Sequence, residues 1–199
     1  MLTLAVSIML VGTSDPITPV PGTDGGGLVL NEIMIDPLAS SSMLMGQWIE
    51  LYNNSGDWVN LSAWTIENQN GETIAFSSMI VAPESYFIVG ASAITSENGG
   101  YTPDAVWGSF SLSNEGSLTL ASRYNDSSEY VEWNSSWNLL AGASLERLNP
   151  GWASSDRGSW SHSTSSFGDG DLGTPGSQNS VYSNGFGQNT WAFIKAFVR

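Results

Sequence analysis

The period of the apolar residues decides what this chain can fold into. From Leu28 onward they come in short runs, separated by clusters of Gly, Asn, Ser, Asp and Pro. The run QWIELYN is the clearest: Ile49 and Leu51 fall on one side, and Trp48, Glu50 and Tyr52 on the other. A period of two sends successive side chains to opposite faces of a strand, whereas a helix repeats near 3.6. No stretch sustains helical spacing, so almost no helix is expected. Strands are expected over residues 28–35, 47–53, 58–67, 72–76, 85–89, 107–112, 117–122, 129–134 and 144–148, with residues 91–105 as a polar, Gly-rich loop. Turn signals such as Asn-Asn-Ser-Gly at 53–56 join them. Short strands about 8–12 residues apart indicate an all-β sandwich or barrel.

The ends read differently. Residues 1–14 begin with the apolar run MLTLAVSIMLV, too short to span a bilayer and suited to an export signal, with small residues following. Residues 15–27 read DPITPVPGTDGGG, a Pro/Gly linker. A folded domain is therefore expected over 28–180, with flexible tails on either side. Residues 181–199 form a tail whose end, WAFIKAFVR, is again apolar.

Composition excludes several functions. Five Lys and Arg against nineteen Asp and Glu leave a net charge of −14, which repels phosphate backbones and anionic lipid. Direct nucleic-acid binding is not expected, and no transmembrane helix is expected. The absence of Cys removes disulfides, thiolate metal sites and a Cys nucleophile.

The residues that could carry chemistry are few. The single histidine, His162, sits in a Ser-rich stretch and reads as a solvent-exposed loop residue rather than part of a Ser-His-Asp site. Glu129 and Glu132 lie three apart on a strand, so they should diverge rather than form a glycosidase pair. Glu32 and Asp36 share parity, but Asp36-Pro37 should end their strand. Asp169 and Asp171 sit two apart in a Gly-rich loop, an arrangement that offers oxygen ligands to Ca²⁺. The loop lacks the length and terminal Glu of an EF-hand and reads more readily as a Gly-Asp turn with exposed charges. No other cofactor is expected. With so few cations, Arg147 should be held, if buried, by Glu50, Glu32 or a backbone carbonyl. The tryptophans at 48, 58, 64, 107, 133 and 137 either fill the sandwich or stack on sugar rings. Asn53, Asn60, Asn125 and Asn134 open glycosylation triplets, which a Ser-rich chain also produces by chance.

Taken in order, these pieces resemble the lamin-tail domain over residues 28–180. Leu30-Asn31-Glu32-Ile33 is similar to its opening strand, and Trp48-Ile49-Glu50-Leu51-Tyr52-Asn53 to its most recognisable one. Leu61-Ser62-Ala63-Trp64-Thr65-Ile66 and Phe87-Ile88-Val89 look like the strands that follow. Leu112-Ser113-Asn114-Glu115-Gly116 with Ser117-Leu118-Thr119-Leu120 resembles the next hairpin. Ala143-Ser144-Leu145-Glu146-Arg147, Trp160 and Thr174-Pro175-Gly176-Ser177-Gln178-Asn179 resemble the closing signature. Glu50, Asn53, Trp64, Arg147, Trp160 and Asn179, all within these motifs, are expected to be structural. The resemblance implies an immunoglobulin-like antiparallel β-sandwich without a catalytic centre. The chain lacks a heptad rod, a basic localisation run and a prenylation box, which points to the branch found in exported prokaryotic proteins. The function it implies is a secreted or cell-surface interaction or targeting module with a protein or carbohydrate partner. The alternative is an accessory domain of a larger secreted nuclease or hydrolase.

Overall fold

A computed structural model describes residues 27–123 and 128–184. The expected export segment 1–14, nearly all of the 15–27 linker and residues 185–199 lie outside the described residues. The described chain runs through β1 (Leu28–Met34), helix α1 (Met43–Gly46), β2 (Trp48–Asn53), β3 (Val59–Asn60), β4 (Trp64–Asn68), β5 (Thr73–Ala75), β6 (Ile80–Val81) and β7 (Tyr86–Gly90). It continues through helix α2 (Thr95–Asn98), β8 (Ala105–Val106), β9 (Gly116–Ser122), β10 (Ser128–Trp133), β11 (Leu145–Arg147) and β12 (Trp160–His162). One sheet has the order β12-β11-β1-β2-β7-β8, another β10-β9-β4-β5, and β3 pairs with β6. All pairings are antiparallel except β7 with β8.

The two large sheets enclose one apolar core. Ile49 and Leu51 of β2 meet Ile66 of β4, Leu118 and Leu120 of β9, and Val131 and Trp133 of β10. A bulge in β1 between Leu30 and Glu32 shifts the phase of its alternation. Leu28 and Leu30 face the core before it, and Ile33 and Ile35 after it. An inserted residue does this because the side-chain period is two. Its consequence is that Glu32 and Met34 point away from the core.

That outer face is also covered, and every residue of β1 is buried. Met34, Trp48, Ile88 and Tyr101 form a second apolar cluster against Phe167. Trp48 meets Tyr101 at 5.8 Å and Phe167 edge-on at 6.1 Å between ring centroids. Residues 163–183, called the strap below, lie across this face.

Several expected strands are corrected. Residues 58–67 are not continuous: Leu61–Ala63 forms a 3₁₀ turn, because Asn60 Oδ1 accepts the Ser62 N–H at 3.0 Å and competes with the strand ladder. Residues 107–112 form no strand; Trp107, Phe110 and Leu112 enter the core from a loop. The expected loop 91–105 contains α2 and the first residue of β8. Strands β6, β8 and β12 were not expected; each is only two or three residues long.

Gly90 is a sensitive point. A Cβ there would overlap the ring of Tyr101, whose hydroxyl donates to the Gln47 carbonyl at 3.0 Å. Gly90→Ala is expected to cost about 1–3 kcal/mol by overpacking, read as a lower urea midpoint. An unchanged midpoint would mean that the ring can move aside freely.

Candidate functional site

The outer face of the larger sheet carries three glutamates in one row. Glu32 of β1 stands opposite Glu146 of β11 on one side and Glu50 of β2 on the other. All three are fully buried. The strap is fastened to this row by donating to it. Thr174 N–H donates to Glu32 Oε1 at 2.9 Å and Gly176 N–H to Glu50 Oε2 at 2.6 Å. Ser180 Oγ and Val181 N–H donate to Glu146 Oε2 at 2.8 and 3.0 Å. From the sheet itself, Ser144 Oγ donates to Glu32 Oε1 at 2.5 Å and Asn31 Nδ2 to Glu50 Oε1 at 2.8 Å.

Three neighbouring carboxyls, with no cation paired to them among the described residues, cannot all ionise. Burial pushes Glu32 up to about 8, with the charge of Glu146 adding to it. Burial, and then the charge of Glu32, hold Glu50 well above the usual carboxylate range. Geometry points the same way. Thr174 Oγ1 lies 2.9 Å from Glu32 Oε2 and 3.0 Å from Glu146 Oε1. A hydroxyl has one proton to give, so the second contact needs a proton on a carboxyl.

Arg147 does not belong to this row. It shares the face of Leu145 and points into the sandwich, whereas Glu50 and Glu32 point outward. Its carboxylate partner is therefore Glu129 on β10, not Glu50 or Glu32 as the sequence suggested. Nη1 lies 2.8 Å from both Glu129 oxygens and 3.0 Å from the Leu30 carbonyl, and Nη2 donates to the Trp152 carbonyl. The expected backbone carbonyl is thus present as well. Glu129 also accepts the Leu30 N–H at 2.7 Å, beside the bulge. Burial raises Glu129 even with the guanidinium against it. Glu132 points to the opposite side and accepts the Tyr130 hydroxyl at 2.9 Å, so the two glutamates diverge.

The other motif residues sit around this frame. Asn179 Nδ2 donates to the carbonyls of Arg147 and Asn31 at 2.8 and 3.1 Å, and its Oδ1 accepts from Asn31 Nδ2 at 2.8 Å, pinning the strap to β1 and β11. Trp160 is buried, donates to the Ser154 carbonyl at 2.8 Å, and places its ring 6.0 Å from Arg147 Cζ. Asn53 is buried and bonds the carbonyls of Asp57, Val81 and Ala82, which ties the turn after β2 to β6. Its amide is committed to that role. Trp64 opens β4 within the core.

Two sequence candidates are not assembled. Asp171 is buried, and its carboxylate accepts the N–H groups of Leu38 and Ala39 at 3.0–3.1 Å, while Asp169 is exposed with its N–H on the Gly99 carbonyl. The pair does not converge on a common point. Among the described residues, no group of three His, Cys, Asp or Glu is placed to hold a metal. Asp171→Ala is expected to cost about 1.5–3 kcal/mol, seen as faster amide exchange at Leu38 and Ala39. His162 is corrected from a loop to the last residue of β12. It is half-buried, and its Nε2 accepts the Leu140 N–H at 3.2 Å. Burial, with Arg157 nearby, lowers its affinity for a second proton. Of the tryptophans weighed for sugar stacking, Trp48, Trp64, Trp107, Trp133 and Trp137 are buried, whereas Trp58 is exposed.

Two clefts open on the strap face and share Tyr86. The larger, about 630 Å³, is bordered by Glu84, Tyr101, Asp104, Phe167 and Pro175. The smaller, about 190 Å³, is bordered by Tyr52, Tyr182, Asn31, Asn149 and Gln178. Asp104 Oδ2 accepts the Ile88 N–H at 2.8 Å, which caps an otherwise open stretch of the β7 edge.

A family model described as Lamin Tail Domain matches residues 21–141. The chain belongs to the lamin-tail domain family. Its fold is the immunoglobulin-like β-sandwich of that family, a non-catalytic domain that is generally an interaction module. No curated protein matches the chain. The matched residues stop before β11, β12 and the strap. In this lamin-tail domain those later elements complete the larger sheet and cover its outer face. No helix among the described residues is long and apolar enough to cross a membrane.

Sequence reasoning missed the carboxylate row, Glu129 as the partner of Arg147, and the tyrosines of the smaller cleft. One signal for the row was present. Three strands each place a glutamate beside apolar residues, in Asn31-Glu32-Ile33, Ile49-Glu50-Leu51 and Leu145-Glu146-Arg147.

Proposed function

We propose that this lamin-tail domain is a non-catalytic interaction module of an exported protein, and that it holds a protein or glycan partner on its strap face. The observation that carries the reading is how its reactive groups are spent. Glu32, Glu50, Glu146 and Asp171 accept hydrogen bonds from backbone amides and side chains, Glu129 is paired with Arg147, and His162 accepts a hydrogen bond from a backbone amide. A general acid or base needs a free face toward a substrate, and these groups instead hold segments of chain in place. The clefts beside the strap offer a rigid, partly aromatic surface, which suits recognition.

Export is supported by the apolar run at residues 1–11 and the small residues after it. Fractionation of cells expressing the full reading frame should find the protein outside the cytoplasm with that run removed; a cytoplasmic protein retaining it would refute export. The purified protein should turn over no chromogenic glycoside, ester, phosphodiester or peptide. Turnover that disappears in Glu32→Gln would refute the non-catalytic reading.

A further inference from the structure

The smaller cleft has a chemistry unlike the rest of this acidic chain. Among the described residues, its border contains no charged side chain. It presents three phenols, from Tyr52, Tyr86 and Tyr182, and the amides of Asn31, Asn149 and Gln178. Tyr52 and Tyr86 form a ring wall, with centroids 4.9 Å apart and planes tilted by 39°. Both rings are half-buried, so their orientation is set by the sheet below them. Burial pushes the Tyr86 phenol up to about 12, which keeps it a neutral donor. The floor is rigid, because Asn31 and Asn179 are bonded to each other and to β11.

Each of these features narrows the ligand. A border without charge gives an anion or a cation no partner, and the overall charge of −14 disfavours an anion further. Amides and phenols supply donors and acceptors for hydroxyl groups. Aromatic faces offer apolar contact to the C–H face of a pyranose ring, with a polar edge beside it. The volume of about 190 Å³ is below the ~300 Å³ of a drug-sized pocket, so one ring fits and a larger ligand must extend outward. The extension has a route, since Tyr86 also borders the larger cleft with Tyr101, Phe167 and Pro175.

We propose that the Tyr52–Tyr86–Tyr182 cleft binds one unit of a neutral polysaccharide, whose chain continues past Tyr86 into the larger cleft. The proposal rests on the interaction-module reading and names the partner class. Glu84 and Asp104, exposed in the larger cleft, select against acidic sugars there.

The test is titration of the intact protein with neutral cello-, xylo-, manno- and chito-oligosaccharides, followed by calorimetry and amide shifts. An oligogalacturonate serves as the acidic control. At least one neutral series should bind, shifting residues around Tyr52, Gln178 and Tyr182, and the acidic control should not. Tyr86→Ala and Tyr182→Ala should each weaken binding by about tenfold or more. Because Tyr86 is partly buried, the exposed Gln178→Ala provides a variant that does not threaten the fold and should weaken binding about threefold or more. No response to any neutral series, equal response to the acidic control, or unchanged binding in both Tyr182→Ala and Gln178→Ala would overturn the site. A sugar that is bound but cleaved would leave the site standing and refute the non-catalytic reading. Absence of both binding and cleavage would do the reverse.

Discussion

Raising the pH from about 5 to about 9 is expected to lower the stability of this protein, and Glu32→Gln is expected to remove much of the loss. Glu32 titrates near 4.5 in its ordinary state and near 8 when folded, because burial disfavours its charge. A group that binds its proton more tightly when folded contributes fully below its unfolded value. The contribution is lost as pH rises through the folded value. The window here runs from about 4.5 to about 8. Glu50 and Glu129 are shifted in the same direction and add to the slope. His162 acts oppositely, since its folded value is lowered and its contribution falls away on the acid side. At about 1.4 kcal/mol per tenfold in proton affinity, the Glu32 effect reaches several kcal/mol. In Glu32→Gln, the amide oxygen can accept from Ser144 and Thr174 and the amide nitrogen can donate to Thr174 Oγ1, so the row keeps its contacts without a titrating group. Urea unfolding at intervals across this range should show a falling wild-type curve and a flatter variant that is more stable above pH ~8. A wild-type curve that rises toward pH 8 would mean the glutamates are ionised in place. The same loss should appear first in the strap, as faster amide exchange at Thr174 and Gly176.

Arg147→Met is expected to be among the most damaging single changes, at about 3–5 kcal/mol in urea unfolding. The side chain is 1 % exposed and ties β11 to β1, to β10 and to the Trp152 carbonyl. Its removal leaves Glu129 largely buried and unpaired and frees two carbonyls. Arg147→Lys should also fail, because an ammonium group cannot reach these separated acceptors in the guanidinium's fork geometry. Combining Arg147→Met with Glu129→Gln should cost less than the sum of the two, by about 1 kcal/mol or more. Additive losses would show that the two side chains do not depend on each other.

How far the sequence could be read depends on how local each feature is. Trp48-Ile49-Glu50-Leu51-Tyr52-Asn53 announced a strand and the two faces of its side chains, because alternation is written into consecutive residues. The same was true of β9 and β10. The break at Asn60 was less legible, since an Asn cap and a strand residue read alike until the turn forms. Strands β6 and β8 are two residues each and carry no period at all. In β1 the spacing of Leu30 and Ile33 held the trace of the bulge, and only the pairing with β2 identified it as one.

The amino-acid sequence by itself determined the all-β class, the positions of the longer strands and the outward aim of Glu50, all consequences of period two. Tertiary structure decided that the outward face is covered, that three glutamates stand in one row, and that Arg147 meets Glu129. The physical reason is separation along the chain. Thr174 reaches Glu32 across 142 residues and Gly176 reaches Glu50 across 126. Those meetings follow from strand order and register, which no local pattern encodes, and they turn three solvent-seeking carboxyls into the anchors of a strap.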